Sequence, residues 1–372
     1  MYVLYIGGFN LPDKNAAAQR VIANAKMLRE IGYEVVLVGL DKTEDHFWYE
    51  GLECINLKYP QTVFEWILYL LQAKNYVPFI EQYSPEIIIA YNHPAVALDR
   101  IRQYGVMRGI RIVSDCTEWY TPEGNIVQRI IKGWDTRKRM EEIHLKMDGI
   151  LSISRFLHEY YSSRGVKSLL LPPLVDSDDY KWKCVPRPRG KDEIVLTYAG
   201  SPGHKDCLDR LVKTISELSA SYRIRFDVIG INEQQFINAY KYTEDIALAN
   251  ICFYGRLSHE ETLNKLTDAD FQIFIRNNSI TTKAGFPTKF VESITAGVPV
   301  LTNLTSNIGD YLQQGKNGFP IDASTDESLK SSLARVFSLP KEELLKVRKE
   351  INRDLFDYRC YIPKMKEFLE QL

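Results

Sequence analysis

The sequence has no closely spaced cysteine pair, no excess of charge of one sign and no long hydrophobic run. Its six scattered cysteines lack the C-x-x-C spacing of a zinc site or disulfide framework, which favours a reducing cytoplasm. A net charge of −1 gives no sign of nucleic-acid binding. The longest apolar run, 63–71, contains Glu65 and is too short to span a bilayer. Residues 1–6 resemble a strand and lack the basic start of a signal peptide.

Strand and helix patterns alternate along both halves of the chain. The predicted strands of the first half are 2–6, 34–40, 86–90, 110–114, 149–154 and 168–171. Those of the second half are 194–199, 224–229, 250–254, 271–275 and 298–302. This alternation predicts an α/β protein with two Rossmann-like, doubly wound parallel-sheet domains.

The predicted domain limits follow from proline and charge. Residues 173–192 are rich in both and indicate an interdomain linker. The domains on either side are predicted at 1–175 and 190–358, and 359–372 is predicted as a final helix that packs back on the first domain. Ligands of open α/β sheets bind at the carboxyl ends of the strands. We therefore expect both domains to face a central cleft.

The segment 285–299 combines a glycine-rich turn, a short helix and a buried strand. Pro287 suits a first helical position, and Gly297 suits the left-handed residue that ends the helix. A helix start attracts anions, and Lys289 adds a positive charge there. With Glu292 one turn further on, a diphosphate and a ribose could bind side by side. The alternative is a surface ion pair between Lys289 and Glu292.

Together these patterns resemble the retaining glycosyltransferases of the GT-B fold, specifically family 4, the glycosyl transferases group 1. The likeness covers nearly the whole chain. The segments that carry it are Gly7-Gly8, 15–20, 198–206, 253–256, 285–299 and 315–319. The resemblance implies that the second domain holds a sugar nucleotide, on UDP or GDP, and the first holds the acceptor.

The resemblance also implies roles for individual donor-site residues. Glu292 would bind the ribose hydroxyls and Lys205 the diphosphate, beside a flexible 200–203 turn that lets the backbone approach closely. Lys205 and Lys289, with His93, are the candidate catalytic residues. The remaining candidate donor contacts are Gly7, Gly8, Gly200, Ser201, Arg276, Gly285, Phe286, Pro287 and Thr288.

Two positions depart from the family pattern. Ala284 stands where many relatives have a glutamate that touches the donor sugar, eight residues before Glu292. Ser201 follows Gly200 where many relatives have an arginine. Arg276 could supply the missing charge, or it could be a strand-end arginine on the surface.

The candidate acceptor residues follow two predicted strands of the first domain. His93 comes after 86–90 and could orient a hydroxyl or relay a proton, or it could simply cap the turn before Pro94. The others, after 110–114, are Asp115, Glu118, Trp119 and Tyr120. Their carboxylates and rings suit sugar or acceptor binding, the alternative being an interdomain ion pair.

A basic segment at 126–140 places cations among Ile130, Ile131 and Trp134. The cations are Arg129, Lys132, Arg137, Lys138 and Arg139. Such a helix can lie on an anionic membrane, or it can be an ordinary helix with one solvated face. Membrane contact would place the protein at the inner face of the membrane and suit a lipid-linked acceptor, as in bacterial cell-surface polysaccharide or glycolipid assembly.

The predicted function is hexosyl transfer from a nucleotide-diphosphate sugar to a hydroxyl, with retained configuration. Because no Asp-x-Asp pair or carboxylate cluster suggests a metal site, we expect no metal and no cofactor. Two alternatives remain open. One is a sugar-nucleotide epimerase or hydrolase on the same fold, and the other is a non-catalytic nucleotide-sugar-binding partner of another transferase.

Overall fold

The computed structural model describes residues 1–122, 124–184, 193–203, 205–242 and 250–372. Its strands are β1 Tyr2–Gly7, β2 Glu34–Asp41, β3 Asp45–Tyr49, β4 Leu52–Lys58, β5 Ile87–Tyr91, β6 Arg111–Cys116, β7 Gly149–Ser152, β8 Ser168–Leu170, β9 Ile194–Ala199, β10 Ile224–Ile229, β11 Ile251–Gly255, β12 Phe271–Phe274, β13 Val300–Thr302 and β14 Gly318–Pro320. Its α-helices are α1 Ala16–Ile31, α2 Val63–Leu71, α3 Val77–Tyr83, α4 Ala95–Val106, α5 Ile126–Lys138, α6 Arg155–Ser162, α7 Leu208–Leu218, α8 Glu233–Tyr240, α9 His259–Asp268, α10 Ile280–Ala284, α11 Thr288–Ala296, α12 Asp326–Phe337, α13 Lys341–Glu350 and α14 Ile362–Gln371.

The chain divides into two compact units. The first comprises Met1–Asp176, Lys283–Phe286 and Asp357–Leu372, and the second comprises Ser177–Thr282 and Pro287–Phe356. Compared with the domains predicted from the sequence, the main difference is the short stretch 283–286, which groups with the first unit. Residues 185–192 of the predicted linker lie outside the described residues.

The first unit is built on an eight-stranded sheet in the order β3-β4-β2-β1-β5-β6-β7-β8. All neighbouring strands are parallel except β3 and β4, which pair antiparallel at one edge. The sequence did not predict β3 or β4. In β3, the exposed His46 and Trp48 alternate with half-buried aromatic residues, so there is no apolar run. In β4, the polar Glu53 and Asn56 interrupt the apolar residues. The predicted α/β class with parallel sheets is confirmed.

The second unit has a six-stranded, all-parallel sheet in the order β11-β10-β9-β12-β13-β14. β9 and β10 have the bounds predicted from the sequence, and β14 is an additional edge strand. Because β9 and β12 are central neighbours, the loops that follow them emerge side by side at the carboxyl edge. That edge holds most of the candidate donor residues.

The last helix belongs to the core of the first unit. Met365, Phe368 and Leu369 of α14 are buried in the same apolar cluster as Val21, Met27 and other residues of α1. α1 itself begins at Asn15, whose side chain accepts a hydrogen bond from Ala18 N–H, and ends at Gly32 with a φ of 111°.

A buried ion pair connects three parts of the first unit. Arg20 of α1 donates two hydrogen bonds to Asp115 at the end of β6, from Nε to Oδ2 at 2.9 Å and from Nη2 to Oδ1 at 2.7 Å. Its Nη1 donates to the carbonyls of Leu171 and Pro172, both at 3.0 Å. Tyr5 of β1 donates to Asp115 Oδ2 at 2.6 Å. Because Arg20, Asp115 and Tyr5 are all buried, this network fixes the helix, both strands and the end of the sheet to one another.

Replacing Asp115 with Asn should destabilise the protein by about 3–5 kcal/mol, because Arg20 would keep a buried charge without its counter-ion. Urea denaturation followed by circular dichroism measures the change. Glu44→Gln, at an exposed position between β2 and β3, serves as the control and should change stability by less than about 0.5 kcal/mol. Equal stability of Asp115→Asn and the control would show that the pair contributes nothing.

Candidate functional site

The loop that follows β9 makes room for a lysine side chain. Gly200 has a φ of 122°, and a Cβ added there would lie 2.8 Å from Lys289 Cε. Glycine is therefore required both by the backbone conformation and by the close approach of Lys289. The sequence had predicted Gly200 and Lys289 to take part in one site, and the structure brings them into contact.

Asp206, at the end of the same loop, holds two of the predicted cations. Its Oδ2 accepts hydrogen bonds from Lys289 Nζ and, at 2.6 Å, from the Tyr198 hydroxyl, and its Oδ1 accepts from Arg276 Nε at 3.1 Å. Lys289 Nζ also donates to the Tyr198 hydroxyl at 2.7 Å. Asp206 is 2% exposed, and the other three side chains are buried. Arg276 is thus not a surface arginine.

Backbone hydrogen bonds fix this loop against the end of β12. Asn277 N–H donates to Lys205 O at 3.1 Å, and Cys207 N–H donates to Ile275 O at 3.0 Å. Asn303, after β13, holds Arg276 by accepting from its N–H at 2.9 Å and donating to its carbonyl at 2.8 Å. The loops after three neighbouring strands therefore form one rigid edge.

The charged groups of this cluster shift one another's pKa values. Burial alone would raise the pKa of Asp206, but the positive charges of Lys289 and Arg276 lower it to about 2. Burial lowers the pKa of Lys289 to about 8, against the opposing effect of Asp206; the charges of Arg276 and Lys205 lower it further. Lys205 therefore lies close enough to act on Lys289. Two buried cations paired with one carboxylate leave the cluster with a positive charge that suits a diphosphate.

The start of α11 adds backbone donors at this edge. Pro287 precedes the helix as its N-cap, and no side chain caps the first turn. The sequence had placed Pro287 inside the helix; it lies one position earlier, with a ψ of 113°. The left-handed residue predicted at the other end is confirmed, since Gly297 has a φ of 73°. No side chain caps this first turn, so the positive end of the helix dipole lies next to Lys289.

The remaining donor candidates differ in exposure. Ser201 is exposed, whereas Thr288 and Glu292 are half-buried on α11. Gly285 is half-buried and Phe286 is buried, and both belong to the stretch that groups with the first unit. Ala284, in the same stretch, is fully buried, and its carbonyl accepts a hydrogen bond from Ser154 Oγ at 2.7 Å. A glutamate side chain would not fit at this position without displacing its neighbours.

The glycines after β1 are packed differently from each other. A Cβ at Gly7 would lie 2.7 Å from Tyr91 O, so this position requires glycine for the packing of β1 against β5. Gly8 is exposed, and a Cβ there would meet only the Tyr69 hydroxyl, at 3.6 Å. Gly8 is therefore less closely packed than Gly7.

His93 follows β5 and is fully buried between two tyrosine rings. Its ring centroid lies 5.7 Å from that of Tyr69 and 5.3 Å from that of Tyr76. Neither ring nitrogen has a hydrogen-bond partner in the described part of the chain. Burial, and secondarily the charge of Arg139, lowers the pKa of His93 to about 3. The imidazole is therefore neutral at physiological pH, with a hydrogen-bonding capacity that the protein leaves unused.

The four acceptor candidates at and after the end of β6 have distinct surroundings. Both carboxylate oxygens of Asp115 are engaged by Arg20 and Tyr5, so Asp115 supports the edge of the sheet from within. Glu118 is half-buried. Trp119 packs edge-on against Tyr160, with centroids 5.1 Å apart. Tyr120 is 39% exposed. Its side chain forms a hydrogen bond with Glu118, so these two candidate residues contact each other.

Helix α5 presents an apolar stripe to solvent. Its exposed apolar side chains are Ile126, Val127, Ile130, Ile131 and Trp134. Arg129, Lys132 and Arg137 are exposed beside them, but Arg139 is buried and does not belong to this surface, contrary to the sequence prediction. Among the described helices, none is long and apolar enough to cross a membrane.

Two residues of the site were missed by the sequence analysis. Asp206 and Tyr198 lie in the segment 198–206 but had been given no role, although a carboxylate next to a candidate phosphate-binding lysine is a signal in itself. No group of three potential metal ligands occurs within the residues that the structure describes.

Residues 184–354 match the family model of glycosyl transferases group 1. This match spans most of the second unit and includes the Asp206 cluster, but it covers less than half of the chain. No curated protein matches the sequence.

Solved structures show the same fold over the whole chain, which is the GT-B fold. The catalytic domain of starch synthase IV from Arabidopsis thaliana, bound to ADP and acarbose, has a TM-score of 0.72 at 10% identity, covering 100% of this chain and 99% of that one. Anabaena HepE in complex with UDP-glucose has a TM-score of 0.70 at 11% identity, and the match covers 100% of this chain and 100% of that one. The apo form of the lipopolysaccharide outer core galactosyltransferase WaaB has a TM-score of 0.67 at 15% identity. That match covers 100% of this chain and 99% of that one.

Replacing Asp206 with Asn should destabilise the protein by about 3–5 kcal/mol at pH 7, because Lys289 and Arg276 lose their shared counter-ion. The folded pKa of Asp206 is lower than its unfolded value, so its contribution is complete above about pH 4 and is lost as the pH falls towards 2. The difference in the free energy of unfolding between parent and variant should therefore shrink by about 2 kcal/mol on acidification. Urea denaturation at a series of pH values measures it.

Asp209→Asn is the matched control, three residues further on in the first turn of α7 and half-buried. This substitution should lower the free energy of unfolding by less than about 1 kcal/mol and should leave its decrease at acidic pH unchanged. A difference between parent and Asp206→Asn that stays constant from pH 7 to 3 would contradict the assigned ion pairs.

Proposed function

We propose that the protein is a retaining glycosyltransferase that moves a hexosyl group from a UDP- or GDP-sugar to a hydroxyl acceptor. The observation that carries the proposal is the convergence of Lys205, Lys289 and Arg276 beside the uncapped start of α11. The family match over this region and the shared GT-B fold support it.

In this proposal the donor diphosphate binds the positive edge of the second sheet. Lys205 and the first amides of α11 contact its oxygens, while Lys289 and Arg276 stabilise it from behind through their buried charges. Glu292 accepts hydrogen bonds from the ribose hydroxyls. Charge that develops on the leaving diphosphate is offset by these side chains, so the reaction proceeds without a metal ion or cofactor.

The acceptor binds at the carboxyl edge of the first sheet. His93, with its pKa lowered to about 3, orients the acceptor as a neutral hydrogen-bonding group. Glu118, Trp119 and Tyr120 contact the acceptor sugar through a carboxylate and ring faces. Attack from the face that the diphosphate leaves gives retained configuration.

A second candidate is a nucleotide-sugar-binding protein without transferase activity. The buried Ala284 favours it, because this chain has no glutamate at that position to contact the donor sugar. Incubation with labelled UDP- and GDP-sugars and extracted lipid acceptors distinguishes the two. Transfer to an acceptor supports the enzyme, whereas binding without turnover supports the second candidate; an isomerised nucleotide sugar would indicate an epimerase.

We further propose a cytoplasmic protein that binds the inner face of a membrane and acts in bacterial cell-surface polysaccharide or glycolipid assembly. The exposed apolar stripe of α5, with Arg129 and Lys132 beside it, suits an anionic lipid surface. On α2, the exposed Val63, Phe64 and Ile67 form a second stripe. The similarity to WaaB supports a role in surface glycans.

One nucleoside diphosphate should stabilise the protein in a thermal-shift comparison of UDP, GDP and ADP. At a hundred times its Kd, a ligand adds about 2.7 kcal/mol to the free energy of unfolding. Glu292→Ala should lose most of this stabilisation, because the ribose hydroxyls lose their acceptor. Glu233→Ala, at an exposed position in the first turn of α8, is the control and should respond like the parent. Parent-like stabilisation of Glu292→Ala would rule out the ribose assignment.

Vesicles of phosphatidylcholine and phosphatidylglycerol should bind the protein in a flotation assay, and binding should fall at high salt. The double substitution Ile130→Glu and Ile131→Glu should abolish binding, because it places two carboxylates in the apolar stripe. Val106→Glu, at an exposed apolar position at the end of α4, is the control and should still bind. Equal flotation of both variants, or binding to neutral vesicles alone, would contradict the membrane role of α5.

A further inference from the structure

Arg139 is a buried cation whose hydrogen bonds in the described part of the chain go only to backbone carbonyls. The half-buried Asp135, one turn earlier, is a carboxylate on which its charge acts. Arg139 is 2% exposed and begins the π-helical turn that follows α5. Its Nη1 donates to Asn92 O at 3.3 Å, and its Nη2 lies 3.5 Å from Glu118 O. The guanidinium carbon lies 5.0 Å from the centre of the Tyr120 ring. Nε has no hydrogen-bond partner among the described residues, which is costly for a buried charged group.

His93 has unused hydrogen-bonding groups next to this cation. Both of its ring nitrogens are without a partner in the described residues, and the side chain is fully buried. Arg139 Nη1 donates to the carbonyl of Asn92, the residue directly before His93, so Arg139 and His93 are neighbours in the fold. A buried guanidinium and a neutral imidazole on neighbouring parts of the chain therefore each keep an unused N–H donor.

This region lies where a parallel sheet binds ligands. Asn92 and His93 follow β5, Glu118 follows β6, and these two strands are neighbours in the first sheet. Ligands of open α/β sheets bind beyond the carboxyl ends of such strands. Single π-helical turns also occur frequently at functional sites, and Arg139 is the first residue of one.

We propose that Arg139 and His93 bind an oxyanion, specifically a phosphate group carried by the acceptor. A phosphate would give Arg139 Nε–H and one His93 N–H the acceptors that they lack, and its negative charge would compensate the guanidinium. Tyr120, which covers the guanidinium and is partly exposed, would turn aside to admit it. The proposal rests on the proposed function, because it names the chemical class of the acceptor.

Inorganic phosphate, titrated into the full-length protein with ¹³C,¹⁵N-labelled histidine, tests this site directly. The imidazole signals of His93, assigned by their loss in His93→Gln, should shift and saturate. Arg139→Gln should weaken the response roughly tenfold or more, because a charge-assisted contact is lost. Arg139→Lys, which keeps the charge, should retain most of it. Lys205→Ala, which alters the proposed donor site, should respond like the parent.

Three results would overturn the proposal: no shift of the His93 signals in the parent protein, an unchanged response in Arg139→Gln, or loss of the response in Lys205→Ala. The first of these needs no variant, so the test holds even if Arg139→Gln fails to fold. Stabilisation by UDP or GDP, measured on the same samples, reports the donor site separately. A His93 response without nucleotide binding would contradict the proposed function and leave the phosphate site standing.

The source of the phosphate can be identified in the same titration. A water-soluble sugar 1-phosphate and a polyprenyl diphosphate sugar in detergent carry the same group on different molecules. Tighter binding of the lipid-linked compound, lost in Arg139→Gln, would identify a lipid-linked acceptor. Equal binding of both would show that the protein recognises the phosphate alone.

Discussion

The second unit depends on one buried carboxylate. Asp206 receives hydrogen bonds from Lys289, Arg276 and Tyr198, and without it two buried cations would repel each other with no compensation. A second carboxylate would cancel the charge of the cluster and remove its attraction for anions. With a single one, the cations can be buried in a folded protein while the edge of the sheet stays positive. The same interaction thus supports both the fold and the proposed diphosphate site.

The first unit contains a similar arrangement with a different outcome. Tyr5 lies in β1 and Tyr198 in β9, and each of these strands is the first of its unit in chain order. Both tyrosine hydroxyls donate a hydrogen bond to a buried aspartate. Asp115, however, faces one arginine, whose remaining donor group is used by the Leu171 and Pro172 carbonyls. Charges and hydrogen bonds are balanced there. Asp115 therefore stabilises the sheet, whereas the excess of cations around Asp206 leaves a capacity for ligand binding.

The sequence predicts those features that local patterns determine. Alternating apolar runs predicted most strands. Gly200, Lys289, Gly297 and Arg276 were recognised because each lies close to the start or the end of a regular element. The partner of the cations was not predicted, because Asp206 meets Lys289 and Arg276 only when loops far apart in the sequence come together. The edge strands β3 and β14 were missed because an exposed or very short strand has little apolar periodicity.

Arg137, Lys138 and Arg139 show why composition alone misjudges a basic helix. Successive side chains point in different directions, so Arg137 and Lys138 pair with Glu141 and Glu142 on the outside while Arg139 turns inward. Asp135, one turn earlier, marks the inward face, because it accepts a hydrogen bond from Ala95 N–H at the start of α4. Four residues after Asp135, Arg139 must follow the same face. The segment therefore carries two separate kinds of cation, exposed ones suited to a lipid surface and a buried one suited to a phosphate.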